Sequence, residues 1–318
     1  MNLQITGTAY DGTSVTLNRP LSLSFHAKLT RPYDELTIMF LPVEKQIKTL
    51  SVSVNGALFF DGIVVTQTLE QKISPASKFF CRSRPGYLLE ENQLSPYAYF
   101  RLSGESIIDR FAKPFGVAGV RLSEDKTINI MLVSEKESYW DFLTAFYVQA
   151  YGVPPYIRRD KYIELTPYTG RGFSLSPTRP GALRYLGYKE HFENKLISQI
   201  SFYTGEDDFG SLYEETFINP LSSYVGYPKE LFLNPTRSWV TEHQKYANYL
   251  FYKSMIESRA VEVTLPGWHD FEPGDSVYFD RGKGTVESLY VGENRIVTGG
   301  EGITTIVRLW DSARNPLL

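Results

Sequence analysis

The first ninety or so residues read as strands, whose half-buried form alternates apolar and polar positions with a period of two. Leu21-Ser-Leu-Ser-Phe25 follows this rule, and the stretch Leu50 to Thr66 contains Ser51-Val-Ser-Val54, Leu58-Phe-Phe60 and Ile63-Val-Val65. Asn55-Gly56 separates the first two runs. This dipeptide predicts a hairpin, because both central positions of a type I′ turn need positive φ. The chain therefore begins with a β-barrel or a small sandwich.

Helical spacing appears next. Ser103-Gly-Glu-Ser-Ile-Ile-Asp-Arg-Phe-Ala-Lys-Pro114 offers a Ser cap, apolar residues at 107, 108 and 111, and a closing proline, which together predict a short helix. A second helix is predicted from Ser134, with Glu137 completing a capping box. Trp140, Leu143, Tyr147 and Ala150 share one face, and Gly152, Pro154 and Pro155 end it. Tyr97, Tyr99 and Phe100, just before the first helix, are expected in the core, and Tyr162-Ile-Glu-Leu165 reads as a strand.

After Gly170 the chain is loop-rich, Leu196 to Phe202 reads as a strand, and Gly205 to Pro235 has little periodicity. A third helix is predicted near 241–257, capped by Thr241 with Gln244, its stripe formed by Ala247, Leu250, Phe251 and Met255. Five strands are then expected: Ala260 to Leu265, Ser276 to Phe279, Gly284 to Val291, Ile296 to Thr298 and Ile303 to Leu309. The separating turns are placed at Glu272-Pro-Gly-Asp275, Gly292-Glu-Asn-Arg295 and Gly299-Gly-Glu-Gly302. The pattern is that of a β-rich α+β protein.

Composition narrows the function classes. A chain of 318 residues can bury a proper core in two or three domains. Its 33 Lys and Arg against 36 Asp and Glu leave no positive excess to grip nucleic acid through counterion release, so stable nucleic-acid binding is not expected. The single Cys81 lies beside Phe79 and Phe80, which reads as a small apolar strand residue in a reducing compartment. The N-terminus lacks the pattern of a secretory signal, and apolar runs such as Leu36 to Val43 are too short for a membrane segment. The protein is expected to be made and kept soluble inside the cell.

Candidate chemistry is sparse. His26, His191, His243 and His269 lie far apart, without the short spacing of a local zinc site. Gly274-Asp-Ser276 lacks the helix that a nucleophile elbow must open. Gly282-Lys-Gly-Thr285 runs into a strand, whereas a phosphate loop delivers its amides at a helix N-terminus. The acidic trio Glu206-Asp207-Asp208 reads as a solvated loop, with paired carboxylates for sugar cleavage or calcium as the sharper alternative. No catalytic residue, cofactor or metal ligand is assigned, and an enzyme is not expected. Aromatics supply 14% of the residues, with 22 Tyr and 20 Phe, a content that suits subunit contacts as well as sheet cores. Tyr246, Tyr249, Tyr252 and Trp268 are the candidate interface residues. The three tyrosines and Phe251 either form an exposed rim on the third helix or pack beneath the segment 205–235.

Taken in order, these segments resemble the baseplate hub proteins of contractile phage tails, the late-control-D and Mu-type tail protein family related to the hub part of secretion-system spike proteins. The resemblance is carried by His243 to Ser258, Ala260-Val-Glu-Val-Thr-Leu-Pro-Gly267, Phe271-Glu-Pro-Gly-Asp-Ser-Val-Tyr278 and Gly302-Ile-Thr-Thr-Ile-Val-Arg-Leu309. Gly104 to Gly116 and Ser138-Tyr-Trp-Asp-Phe-Leu143 leading to Tyr151-Gly152 fit in sequence order. It implies two tube-like β-barrel domains with an inserted mixed α/β region: a first barrel over residues 1–95, mixed α/β over 96–170, and a second barrel over 171–318 carrying the third helix. Boundaries are approximate, and discontinuous domains are allowed. It also implies a homotrimeric ring joining a tail tube protein to a spike protein on another polypeptide, in a virion tail or phage-like particle assembled in the host cytoplasm. A tail-associated peptidoglycan hydrolase using Glu206 and Asp208, or a carbohydrate-binding module using exposed tyrosines, is the alternative.

Overall fold

The computed structural model describes residues 1–17, 19–70, 74–90, 98–133, 137–165, 168–193, 195–220, 229–234, 242–282, 284–300 and 302–311. The first part of the chain forms β1 (Leu3–Ala9), β2 (Ser14–Thr16), β3 (Ser22–Lys28), β4 (Glu35–Phe40), β5 (Ile47–Val54), β6 (Ala57–Glu70) and β7 (Ala76–Ser83). The middle forms α1 (Tyr87–Glu90), β8 (Ala98–Ser103), α2 (Gly104–Phe111), β9 (Gly119–Val120), β10 (Thr127–Leu132), α3 (Tyr139–Tyr151), β11 (Tyr156–Ile157) and β12 (Tyr162–Glu164). Then come β13 (Tyr168–Leu175), β14 (Gly187–Phe192), β15 (Gln199–Phe202), β16 (Gly205–Asp207), β17 (Gly210–Leu212), β18 (Glu215–Ile218) and β19 (Glu230–Leu233). Helix α4 (His243–Ser258) leads into β20 (Arg259–Pro266), β21 (Asp275–Asp280), β22 (Val286–Gly299) and β23 (Gly302–Asp311). The protein is a strand-rich α+β fold. No helix among the described residues is long and apolar enough to cross a membrane.

The N-terminal strands obey the period-two rule. In β4, Leu36, Ile38 and Phe40 are buried while their neighbours are half-exposed. Asn55 and Gly56 both adopt positive φ between β5 and β6, the hairpin conformation that an Asn-Gly pair favours. These strands enclose a core containing Phe25, Leu36, Ile38, Leu50, Val52 and Phe79. A second core, built from β20 to β23 and Leu175, holds Val263, Phe271, Val277, Phe279, Val307 and Leu309. Helices α2 and α3 pack Ile107, Ile108, Phe111, Phe142, Leu143 and Phe146 into a third. A fourth joins Ile200 and Phe202 of β15 to Ala247 and Phe251 of α4.

One helix start differs from expectation in detail. Ser103 caps α2 as its spacing predicts, with Ser106 returning the bond. The cap of α3 is Ser138, not Ser134, and Asp141, not Glu137, completes its box. Both pairs have the same spacing, but Ser138 immediately precedes the first apolar pair of the helix, whereas Glu137 is buried ahead of it. Ser134 lies outside the described residues, as do Thr241, the expected cap of α4, and Tyr97.

The larger correction concerns Gly292 to Arg295. No turn forms there: β22 runs unbroken from Val286 to Gly299, with one β-bulge between Val291 and Glu293. Its first half pairs with β21, from Ser276↔Tyr290 to Asp280↔Val286. Its second half pairs with β3, from Glu293↔Lys28 to Thr298↔Leu23. Along its other edge β23 follows both halves, from Leu289↔Asp311 to Gly299↔Gly302. One hairpin thus belongs to both sheets, and among the described residues the ladder is continuous from β14 through β20, β23, β22, β3, β4, β7, β6, β5 and β1 to β2. Ile296 of β22 enters the N-terminal core and Val291 the C-terminal one.

Gly292 sits at the bulge for a steric reason. A Cβ there would come within 2.2 Å of two ring carbons of Trp310, a separation that no packed pair tolerates. Bulges are where an added residue redirects a strand. Replacing Gly292→Ala should force Trp310 or the bulge to move, destabilising the chain by about 1–3 kcal/mol and lowering the thermal midpoint followed by circular dichroism.

Candidate functional site

The four candidate interface residues do not form one exposed patch. Tyr252 is 6% exposed, and its hydroxyl lies 2.9 Å from the buried Tyr290 hydroxyl of β22. It joins Ile256, Ala260 and Trp310 in the cluster where α4 meets the sheet. Phe251 is likewise buried, against Ile200 and Phe202. Tyr246 is half-buried against that same cluster, and Tyr249, its ring 6.1 Å from that of Tyr246, lines a cavity of about 100 Å³ with Trp140, Tyr156 and Lys253. Trp268 sets its ring edge-on to Phe59 at 4.7 Å and is half-buried on the N-terminal core. The expected rim is therefore largely inward-facing. Helix α4 is wedged between α3, which Lys245 joins through the Gln149 carbonyl at 2.8 Å, the β15 sheet and β20, and aromatics on several of its faces meet protein.

The polar groups that converge do so at seams between elements. Arg158, 4% exposed after β11, pairs with Glu272 at 3.2 Å and with Asp275 at 3.1 Å. Arg171 of β13 reaches the same Glu272 at 2.8 Å. Arg159 pairs with Asp270 and lays its guanidinium over the Phe59 ring, 4.4 Å from its centre. The middle segment is thereby tied to the Glu272-Pro-Gly-Asp275 turn and to the N-terminal core. Burial holds the Asp275 carboxyl above its ordinary value, although the Glu272 N–H, Arg171 and Arg158 all favour its charged form. These groups only partly counter the effect of burial.

A second knot lies at the bulge. Glu293 is 4% exposed and accepts from His26 Nε2 at 3.3 Å and Lys28 Nζ at 3.1 Å, both on β3, with Arg295 at 3.3 Å. Burial alone would raise its pKa. The hydrogen bond from His26 and the charge of Lys28 outweigh that and bring it down to about 2. The interaction clamps β22 to β3 where the two sheets join.

Among the described residues, no group of three or more His, Cys, Asp and Glu side chains could hold a metal ion. Burial pushes the Cys81 thiol up to about 12, so it is not a ready nucleophile. The acidic trio lies on the hairpin β16–β17, where the Asp207 carboxylate accepts the Phe209 N–H at 2.9 Å and organises the turn.

Exposed apolar side chains lie mostly on strands and turns rather than on α4. Phe209 is 99% exposed, and Leu186, Phe192, Ile218 and Tyr278 are also open to solvent. Phe100, expected in the core, is exposed opposite Ile130 on the β8–β10 pair, because Tyr99 takes the inward position against Phe111 and Phe142. The available sequence signal for Phe209 was an aromatic in Asp207-Asp208-Phe209-Gly210, where turn chemistry favours polar residues.

No protein-family model and no curated protein matches the sequence. Solved structures do match in three dimensions. A tail protein from Neisseria meningitidis MC58 superposes with a TM-score of 0.73 over 98% of both chains at 13% identity. The 43 kDa tail protein of prophage MuSo2 from Shewanella oneidensis gives 0.72 over 97% of this chain and 98% of its own, also at 13% identity. This chain has the fold of phage tail proteins. The E. coli c3393 protein, a component of the type VI secretion system with structural similarity to T4 bacteriophage tail proteins gp27 and gp5, matches with a TM-score of 0.58 over 99% of this chain and 78% of its own at 9% identity. At such identities, what is shared is the backbone plan. The side chains of the two knots are read from this chain alone.

The Glu293 knot makes a pH prediction. Its folded pKa lies below the ordinary 4.5, so its stabilisation is present above that pH and is lost as pH falls through about 2. Glu293→Gln should cost on the order of 2 kcal/mol at neutral pH and flatten the acid limb of stability measured by denaturant titration between neutral and strongly acidic pH.

Proposed function

We propose that this protein is a baseplate hub of a phage or phage-like contractile tail, three copies of which close a ring between the tail tube and the central spike. The observation that carries this reading is the extent of the fold match, 98% of both chains for the Neisseria tail protein, which leaves little of either chain outside the shared architecture. The type VI secretion component supports it, since that protein is itself described as similar to phage tail proteins. In this reading residues 1–95 and 171–318 act as two tube-like units around the mixed segment 96–170, and the role is structural rather than enzymatic.

Two features of the single chain suit ring assembly. The ladder path ends at β2 and β14, and among the described residues each of these strands is paired on one side only. An open edge is a template for a further strand unless a neighbour covers it. Large apolar side chains at Leu186 and Phe192 flank the β14 edge, where a subunit contact would remove them from water. Copies related by rotation bury such surfaces in closed rings.

Light scattering coupled to size exclusion should give three times the chain mass, alone or after addition of a spike protein, and negative-stain images of that species should show a ring. A chain that stays monomeric with both tube and spike proteins present would rule the reading out.

A further inference from the structure

The β16–β17 hairpin is built to hold one aromatic ring in solvent. Asp207 pairs with Gly210 across a two-residue tip, Asp208-Phe209. The Phe209 N–H is fixed on the Asp207 carboxylate, and Gly210 adopts φ +128, a conformation that side-chain-bearing residues rarely adopt. Its base is braced by the Thr204 N–H on the Leu212 carbonyl at 2.9 Å and by ring contacts of Tyr213 with Tyr203 and Phe232. Single exposed apolar residues are ordinary. A phenylalanine at a turn tip, 99% exposed and framed by the exposed Glu206 and Asp208, combines an apolar plug with an acidic collar.

The same chain carries a surface of complementary character. On the outer face of β13, β21 and β22, Tyr278 and Val286 are 54% and 49% exposed. Together with Ser174 and Ala182 they line an open recess of about 340 Å³, and the exposed Arg179 stands in its wall. Arg179 makes no close salt bridge among the described residues, although many of the chain's arginines do, and its charge acts only at longer range on the Asp280 carboxylate. Phe209 does not occupy its own chain's recess, since it is almost wholly in solvent.

We infer that the Phe209 finger of one copy seats in the Tyr278–Val286 recess of a second copy, with Asp208 and Glu206 facing Arg179. This deepens the ring reading and rests on it, by naming a head-to-tail contact of the kind that cyclic assembly requires. The ring supplies apolar area at the centre of the contact, and the charge pairs at its rim fix orientation.

The test uses the full chain. Phe209→Ser should weaken self-association by roughly tenfold or more with an unchanged circular dichroism spectrum, since the Phe209 side chain is almost wholly exposed in its own chain. Asp208→Arg and Arg179→Asp should each weaken association, and the two changes together should recover most of the loss, an outcome expected only if the residues meet. Mixing Phe209→Cys chains with Val286→Cys chains under mild oxidant should give a disulfide between different copies; the native Cys81 is buried and takes no part. Wild-type assembly by the Phe209 and Asp208 variants overturns the contact while leaving the ring reading intact. Normal self-association with lost binding of tube or spike protein moves the seat to that partner and overturns the second-copy assignment. A wild-type chain that never self-associates overturns both.

Discussion

The architecture depends on one strand being shared. β22 carries backbone hydrogen bonds to β21 in its first half and to β3 in its second, so strands from the two ends of the chain are joined in one ladder. A ladder bond is directional and must be satisfied when buried; an apolar contact between separate sheets could slide. The bulge at Gly292 lets the strand change partners while Trp310 fills the space that a Cβ would need. Glu293 then fixes the register by reaching His26 and Lys28 on the new neighbour.

The same logic places the other polar groups. Arg158, Arg159 and Arg171 converge on Asp270, Glu272 and Asp275, where the middle segment meets the C-terminal sheet and the N-terminal core. The Arg158–Asp275 pair is buried, and such a pair is a weak contributor to net stability but demanding in geometry, since breaking it leaves a charge without compensation. These ion pairs act here as fasteners that set orientation between cores held together internally by apolar packing. In the proposed ring, a rigid relation between those cores would matter, because an error in angle within each copy would be multiplied around it.

The aromatic content divides by location. Phenylalanines and tyrosines of β3, β4, β7, α3 and α4 fill the cores, whereas Phe209, Phe192 and Tyr278 stand on hairpin or strand surfaces. The large exposed apolar side chains therefore lie on sheet edges, strand faces and a turn rather than on helix α4. Burial of Tyr252 against Tyr290 shows why: α4 packs on the sheet that carries the shared strand, and its tyrosines meet other elements of the chain.

Much of the fold was legible in the residues themselves. Period-two alternation marked the N-terminal strands, Asn55-Gly56 marked their hairpin, and Ser103 marked the start of α2, because each depends on backbone preferences that act within a few residues. The candidate surface was far less legible. Gly292-Glu-Asn-Arg295 has the composition of a turn, and only the presence of β3 and Trp310 beside it makes an extended, bulged strand the lower-energy path. Whether Tyr252 faces water or Tyr290, and whether Phe209 has a neighbour, are likewise decided by what distant segments bring alongside. Local sequence determined the periods, caps and turns; tertiary packing decided partners, burial and charge pairing, since those energies exist only between residues far apart in the chain.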